Sequence, residues 1–175
     1  LGNCFNSAYR YNISINDGAR VKGQNGAHQE GKVLWTSGFV GRKKTKVGPD
    51  NSYIYNNTIY VGPDSRSCFS ITGTTNGLLI ANNIFHIMGE TVNVLGDQDW
   101  RKDKTVKRIA RADVRNNVYL HADILPKNLP YEDLNALIGN PQFAKPGGLD
   151  PKDYIPENGD LIKDKGIQIP RLAGD

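Results

Sequence analysis

A repeated asparagine unit constrains this chain more than any other feature. Ile54-Tyr55-Asn56-Asn57-Thr58-Ile59, Ile80-Ala81-Asn82-Asn83-Ile84-Phe85 and Val114-Arg115-Asn116-Asn117-Val118-Tyr119 share one pattern, and Tyr9-Arg10-Tyr11-Asn12-Ile13-Ser14 is a variant of it. Aligned on the last Asn, the units lie 45, 26 and 34 residues apart. The first interval matches two repeats of about 22 residues, a length expected of stacked architectures. A short strand ending in Gly precedes each later unit: Val33-Leu34-Trp35-Thr36-Ser37-Gly38, Cys68-Phe69-Ser70-Ile71-Thr72-Gly73 and Thr91-Val92-Asn93-Val94-Leu95-Gly96. Strands this short cannot bury a face alone. Stacked one per repeat, they form parallel sheets around a continuous apolar column. Alternation then turns Leu34, Phe69, Ile71, Val92 and Val94 inward with Ile54, Ile80 and Val114, and leaves Trp35, Ser70 and Asn93 in one outward row. Asn suits the recurrent corner because it tolerates left-handed backbone, and stacked amides hydrogen-bond as a ladder. A β-sandwich with Asn-rich turns is the competing fold, but it has no cause to repeat one motif at one position.

The segments "RYNISINDG", "YIYNNTIYV" and "IANNIFHIMG" resemble right-handed parallel β-helix proteins of the pectate-lyase-like superfamily, above all the large secreted carbohydrate-active or uncharacterised β-helix proteins of bacteria. The resemblance spans residues 1–125 and implies an all-β solenoid, present as its last few rungs, in a protein that is secreted, periplasmic or at the cell surface. The segment 140–166 resembles the ending of such proteins, but the small-residue–Pro pair of their last loop is missing from 158–166. Residues 126–175 are expected to form a cap and tail on the same solenoid. A short capping helix is predicted over 130–138, with Pro130 at its first position, Gly139 as its stop and Leu134, Leu137 and Ile138 as its buried stripe. Gly2 lies ten residues before Asn12, as Gly73 does before Asn83, so upstream rungs, from the same protein or a partner chain, are expected to cover the N-terminal end.

Charge and composition narrow the partners. Lys and Arg number 22 against 18 Asp and Glu, a net charge of +4, too mild and too scattered for a nucleic-acid binder. The longest apolar stretch, 78–88, is broken by Asn82 and Asn83 and is far short of the roughly 20 residues of a membrane span. Cys4 and Cys68 make no disulfide framework.

Three sets of residues point to a polysaccharide, and an acidic one. Two loops, 39–51 and 97–111, leave the Gly-ended strands at one corner. They carry Arg42, Lys43, Lys44 and Lys46, and then Arg101, Lys102, Lys104, Lys107, Arg108 and Arg111. Such a positive rim beside a groove attracts polyanions, and Arg matches carboxylate or sulfate through its planar fork. Trp35, if it faces out, offers an indole on which a sugar ring stacks, with Trp100 able to reach the same groove. Asp17, Arg20, His28 and Glu30 form the most catalytic-looking cluster. Paired carboxyls can split acid and base roles in glycoside hydrolysis, and a Lys or Arg can take the proton beside a uronate carboxylate in a lyase. The same Asp17 is equally a turn former before Gly18. Asp97, Asp99 and Asp103 offer hard oxygens of the kind calcium takes, without the glycine and terminal Glu of a helix-loop-helix site. No zinc or phosphate-loop motif is present. The expected function is that of a polysaccharide lyase or glycoside hydrolase working along the groove, the alternative being a glycan-binding or adhesive surface without catalysis.

Overall fold

The computed structural model describes residues 1–28, 31–95, 109, 111–124 and 131–170. Among these the chain is mostly β, and its sheets are parallel. Twelve strands succeed one another: β1 (Phe5–Arg10), β2 (Ile13–Ile15), β3 (Leu34–Thr36), β4 (Asp50–Tyr55), β5 (Thr58–Val61), β6 (Ser67–Ile71), β7 (Asn76–Ala81), β8 (Ile84–Ile87), β9 (Thr91–Leu95), β10 (Ala112–Arg115), β11 (Val118–Tyr119) and β12 (Leu137–Ile138). Up to β11 every third strand pairs, and β12 then adds to β11. One sheet runs β1-β4-β7-β10, a second β2-β5-β8-β11-β12, and a third β3-β6-β9. We call three successive strands, such as β4 to β6, a level.

The backbone turns between the first and second sheets at the asparagine units. Tyr11, Asn56, Asn82 and Asn116 sit there at φ of 56°, 53°, 56° and 56°. This left-handed conformation crowds any Cβ, and Asn bears it better than most residues. A second column of positive φ passes through Asn6, Asn51, Gly77 and Arg111, at the head of the first sheet. Each following asparagine turns inward and bonds to the next level. Asn12 Nδ2 donates to Asn57 Oδ1 at 3.0 Å, Asn57 Nδ2 to Asn83 Oδ1 at 2.9 Å, and Asn83 Nδ2 to Asn117 Oδ1 at 2.9 Å. The same oxygens also accept the backbone N–H of Asn12, Asn57 and Asn83. The column ends on Asp133, whose Oδ2 accepts from Asn117 Nδ2 at 2.7 Å and from Tyr119 Oη at 3.1 Å. Asn57, Asn83 and Asn117 are fully buried, and these bonds supply the partners that burial demands.

Between the sheets lies one apolar core, with Leu34, Ile54, Ile59, Phe69, Ile71, Ile80, Phe85, Val114 and Tyr119 among its residues. Six of the eight expected inward residues are therefore in it. For the other two, Val92 and Val94, the backbone register alone is described: Phe69 pairs with Asn93 and Ile71 with Leu95, which sets Val92 and Val94 level with Cys68 and Ser70, one residue away from the alignment expected on the glycines. The proposed outward row is broken by the same shift: Trp35 pairs with Ser70, Asn93 does not follow, and Ser70 is fully buried.

Two further expectations are corrected. The 45 residues between Asn12 and Asn57 hold one level and not two, because the two amides bond directly. The surplus chain lies in the connections before and after β3. The helix predicted over 130–138 is not formed by the described residues 131–138. Leu137 and Ile138 instead make β12 against β11, and Leu137 N–H donates to Asn117 O at 2.9 Å. Leu134 and Ile138, two of the three stripe residues, are exposed. The sheet offered these residues backbone partners that an isolated helical turn could not match. Beyond Gly139 the tail carries a 3-10 turn at Pro151–Tyr154 and a single helical turn, α1, at Gly159–Ile162. It is tied back by Asn82, which bonds both the N–H and the C=O of Ile167, and by Asn116, which donates to Lys165 O.

Candidate functional site

The row positions of the first level carry an anomaly. Through the other levels the row Ile54-Ile80-Val114 is apolar, and so is the row Ile59-Phe85-Tyr119 apart from one phenol. In the first level these rows read Tyr9 and Ser14. A hydroxyl turned toward a core column needs a hydrogen-bond partner there, from the protein, from water or from a ligand. Here an open pocket of about 530 Å³ meets it, with Ile54 and Ile59 among its lining.

The pocket wall is built by the connection from β2 to β3. Asn16, at φ 55°, turns the chain and accepts the N–H of Gly62 on its Oδ1. Asp17 follows and takes a hydrogen bond from Ser14 Oγ at 2.6 Å, which fixes the carboxylate at the rim of the row. Gly18 is required where it stands: its φ is 79°, and a Cβ would lie 2.6 Å from the Lys32 carbonyl carbon. That close approach brings the two ends of the connection together, so Arg20 and Lys32 line the same pocket as Asp17. Lys32 Nζ lies 4.4 Å from the centre of the Trp35 ring, a cation–π contact at a side chain 38% exposed. Burial raises the phenol of Tyr9 above the usual range, and the charge of Asp17 adds to the rise. Tyr9 is thus a neutral hydrogen-bonding group in ordinary conditions.

The pocket unites three of the expected residues, Asp17, Arg20 and Trp35. His28 does not line it. It lies in a bend and lines a separate hollow with Arg20, Gln24 and Asn25. Glu30, Arg101 and Lys102 fall outside the described residues, as do Trp100 and the calcium candidates Asp97, Asp99 and Asp103. Lys43 and Lys44 sit in an exposed turn and do not line the pocket. No group of three metal-ligating side chains occurs among the described residues, and no helix among them is long and apolar enough to cross a membrane. Tyr9, Ser14 and Lys32 were missed by sequence reasoning. For the first two the signal was present, since they occupy in the first asparagine unit the places held by Ile54 and Ile59 in the second.

Chemically, the pocket offers two cations, one carboxylate, two hydroxyls and an indole over an apolar floor. Small-ligand sites have this character: an apolar surface with a few convergent polar groups. Set against protein-family models, curated proteins and solved structures, the chain finds no match in any of the three.

Proposed function

We propose that the three sheets wind as a right-handed parallel β-helix of the pectate-lyase-like kind, part of a secreted carbohydrate-active protein, and that the pocket takes a unit of an acidic polysaccharide. The observation that carries this reading is the gathering of Asp17, Arg20 and Lys32 beside Trp35 by the connection from β2 to β3. The three-strand periodicity of the pairing supports the winding. Arg20 and Lys32 suit a carboxylate or sulfate, Asp17 and the hydroxyls of Tyr9 and Ser14 suit sugar hydroxyls, and Trp35 suits the C–H face of a ring.

Among the described lining residues, Asp17 alone brings a carboxyl. Hydrolysis by the usual route needs two, flanking the scissile bond. The pocket suits capture, or a lyase step in which a cation steadies the charge that develops beside the uronate carboxylate. The test is a titration of Trp fluorescence with uronic-acid, sulfated and neutral oligosaccharides, alongside an assay for unsaturated uronate products. Saturable quenching by acidic sugars, lost in Trp35→Ala and weakened at least tenfold in Arg20→Ala, supports the reading. Product release identifies a lyase, and binding without product a glycan-binding surface. An unchanged signal with all three sugar classes overturns the reading.

A further inference from the structure

We propose that the C-terminal segment is a strap released by acid, with His86 beneath it as the trigger. The observation is a histidine packed into an aromatic cage with its Nδ1 buried and unbonded. His86 stands on β8 beside Tyr60 of β5 and is 3% exposed. Its ring lies between two others, 5.5 Å from the Tyr60 ring and 5.2 Å from that of Phe143. Tyr154 closes the cluster, 5.4 Å from Phe143 and 6.2 Å from Tyr60. Phe143 and Tyr154 both belong to the strap. They form with Tyr60 a second apolar cluster, apart from the main core, against which Ile15 and Ile84 pack.

His86 Nδ1 is buried and has no hydrogen-bond partner. The neutral ring leaves one such atom; the protonated ring would carry a charged N–H at the same place, which is far costlier. The groups facing it offer no rescue. From β5 comes Tyr60, whose hydroxyl is directed at Met88 Sδ. From the strap comes Tyr154, whose hydroxyl accepts from Gly147 N–H and donates to Gly148 O. Its neighbour Asp153 is engaged in capping the 3-10 turn at Asp150. From the chain after β11 comes His121, a second potential cation. Burial, with His121 adding to it, holds the His86 imidazole below its usual range.

The sign follows. With the strap lifted, His86 is solvated and titrates near its ordinary value of about 6.5. Docking is therefore at full strength above that pH and weakens as pH falls through it, levelling off only below the depressed value of the docked state. The remaining ties, from Asn82 to Ile167 and from Asn116 to Lys165, carry no titratable group. They leave the far end attached while the aromatic end lifts.

The experiment is hydrogen exchange on the full chain at about pH 7.5 and pH 5, read as protection factors corrected for intrinsic rate, with a direct NMR titration of the His86 ring. The amides of Gly148, Ile155 and Asn158 are bonded within the strap. They are expected to lose protection at the lower pH relative to Ile84 and Val118 in the sheet, by up to about thirtyfold, the ceiling set by the roughly 1.5 units between pH 5 and the free value of about 6.5. His86→Phe keeps an aromatic filler and removes the titration, so its strap should stay protected at both pH values. Should that variant fail to fold, His121→Gln serves instead: it removes the second cation and should move the midpoint toward higher pH values for His86. A wild-type strap indifferent to pH, an equal pH response in His86→Phe, or a His86 ring that titrates at or above its free value would each overturn the proposal.

Discussion

Removing the amide of Asn83 tests the asparagine column directly. Asn83→Ala deletes four hydrogen bonds at one stroke. Two are donated by Nδ2, to Ile54 O and to Asn117 Oδ1, and two are accepted by Oδ1, from the backbone N–H and the Nδ2 of Asn57. Asn57 Nδ2 keeps a second partner in Tyr9 O, and Asn117 Oδ1 keeps the Asn83 N–H. The Asn57 N–H has no other partner of that kind, and both residues are buried. At about 1 kcal/mol net per bond, with the orphaned donor at the upper end, the loss is about 4 kcal/mol. That is a large part of the roughly 5–15 kcal/mol that holds a domain together, and at this chain length corresponds to a fall in Tm of about 8–16 °C. Asn12→Ala is the control. Asn12 Nδ2 makes two bonds, to Arg10 O and Asn57 Oδ1, at a half-buried site, so about 1 kcal/mol is at stake. Urea unfolding followed by circular dichroism, with linear extrapolation, measures both. If the two variants fall within about 1 kcal/mol of each other, position in the column does not govern the cost and the reasoning fails.

Other outcomes follow from the same geometry. Asp133→Asn retains an acceptor for Asn117 but loses the charge on that bond, and should cost about 1–2 kcal/mol in urea unfolding; Asp133→Leu, which takes the acceptor from Tyr119 Oη and the Asn117 N–H while Asn117 Nδ2 keeps Ile80 O, should cost more. Burial, reinforced by Asp133, holds the phenols of Tyr119 and Tyr131 well above the usual range. Their contribution to stability is complete below about pH 10 and is lost as pH rises past it, so an absorbance titration should show both ionising only as the chain unfolds. Gly77→Ala forces a Cβ to within 2.7 Å of Asn51 Oδ1 at φ 74° and should destabilise by about 1–2 kcal/mol, whereas Gly73→Ala, with open space around it, should stay within about 0.5 kcal/mol of the parent.

The asparagine column was legible because its two residues have separate jobs that few side chains can fill. The first takes positive φ and the second shares an amide with the next level. The core positions Leu34, Ile54, Ile80 and Val114 were legible through alternation alone. Alternation has no origin of its own, however, and aligning β9 on its glycine put its register one residue away from the observed pairing of Phe69 with Asn93. Connection length obscured the count of levels, since the chain between Asn12 and Asn57 can lengthen without disturbing any pairing. Leu134, Leu137 and Ile138 have helical spacing, but a free sheet edge at β11 decided the matter. At the site, Asp17, Arg20 and Trp35 stood out as residue types that do chemistry. Tyr9 and Ser14 matter only for where they stand, and Lys32 needed the Gly18 contact to bring it to the pocket.

The amides of the column all point one way, and a carboxylate can receive but never give. Asp133 thus acts as a full stop for the message passed from Asn12 onward. Anyone lengthening this protein by inserting a duplicate of one level would have to splice it ahead of Asp133. Placed after it, the newcomer's side-chain oxygen would face another oxygen across the joint, and the two would repel.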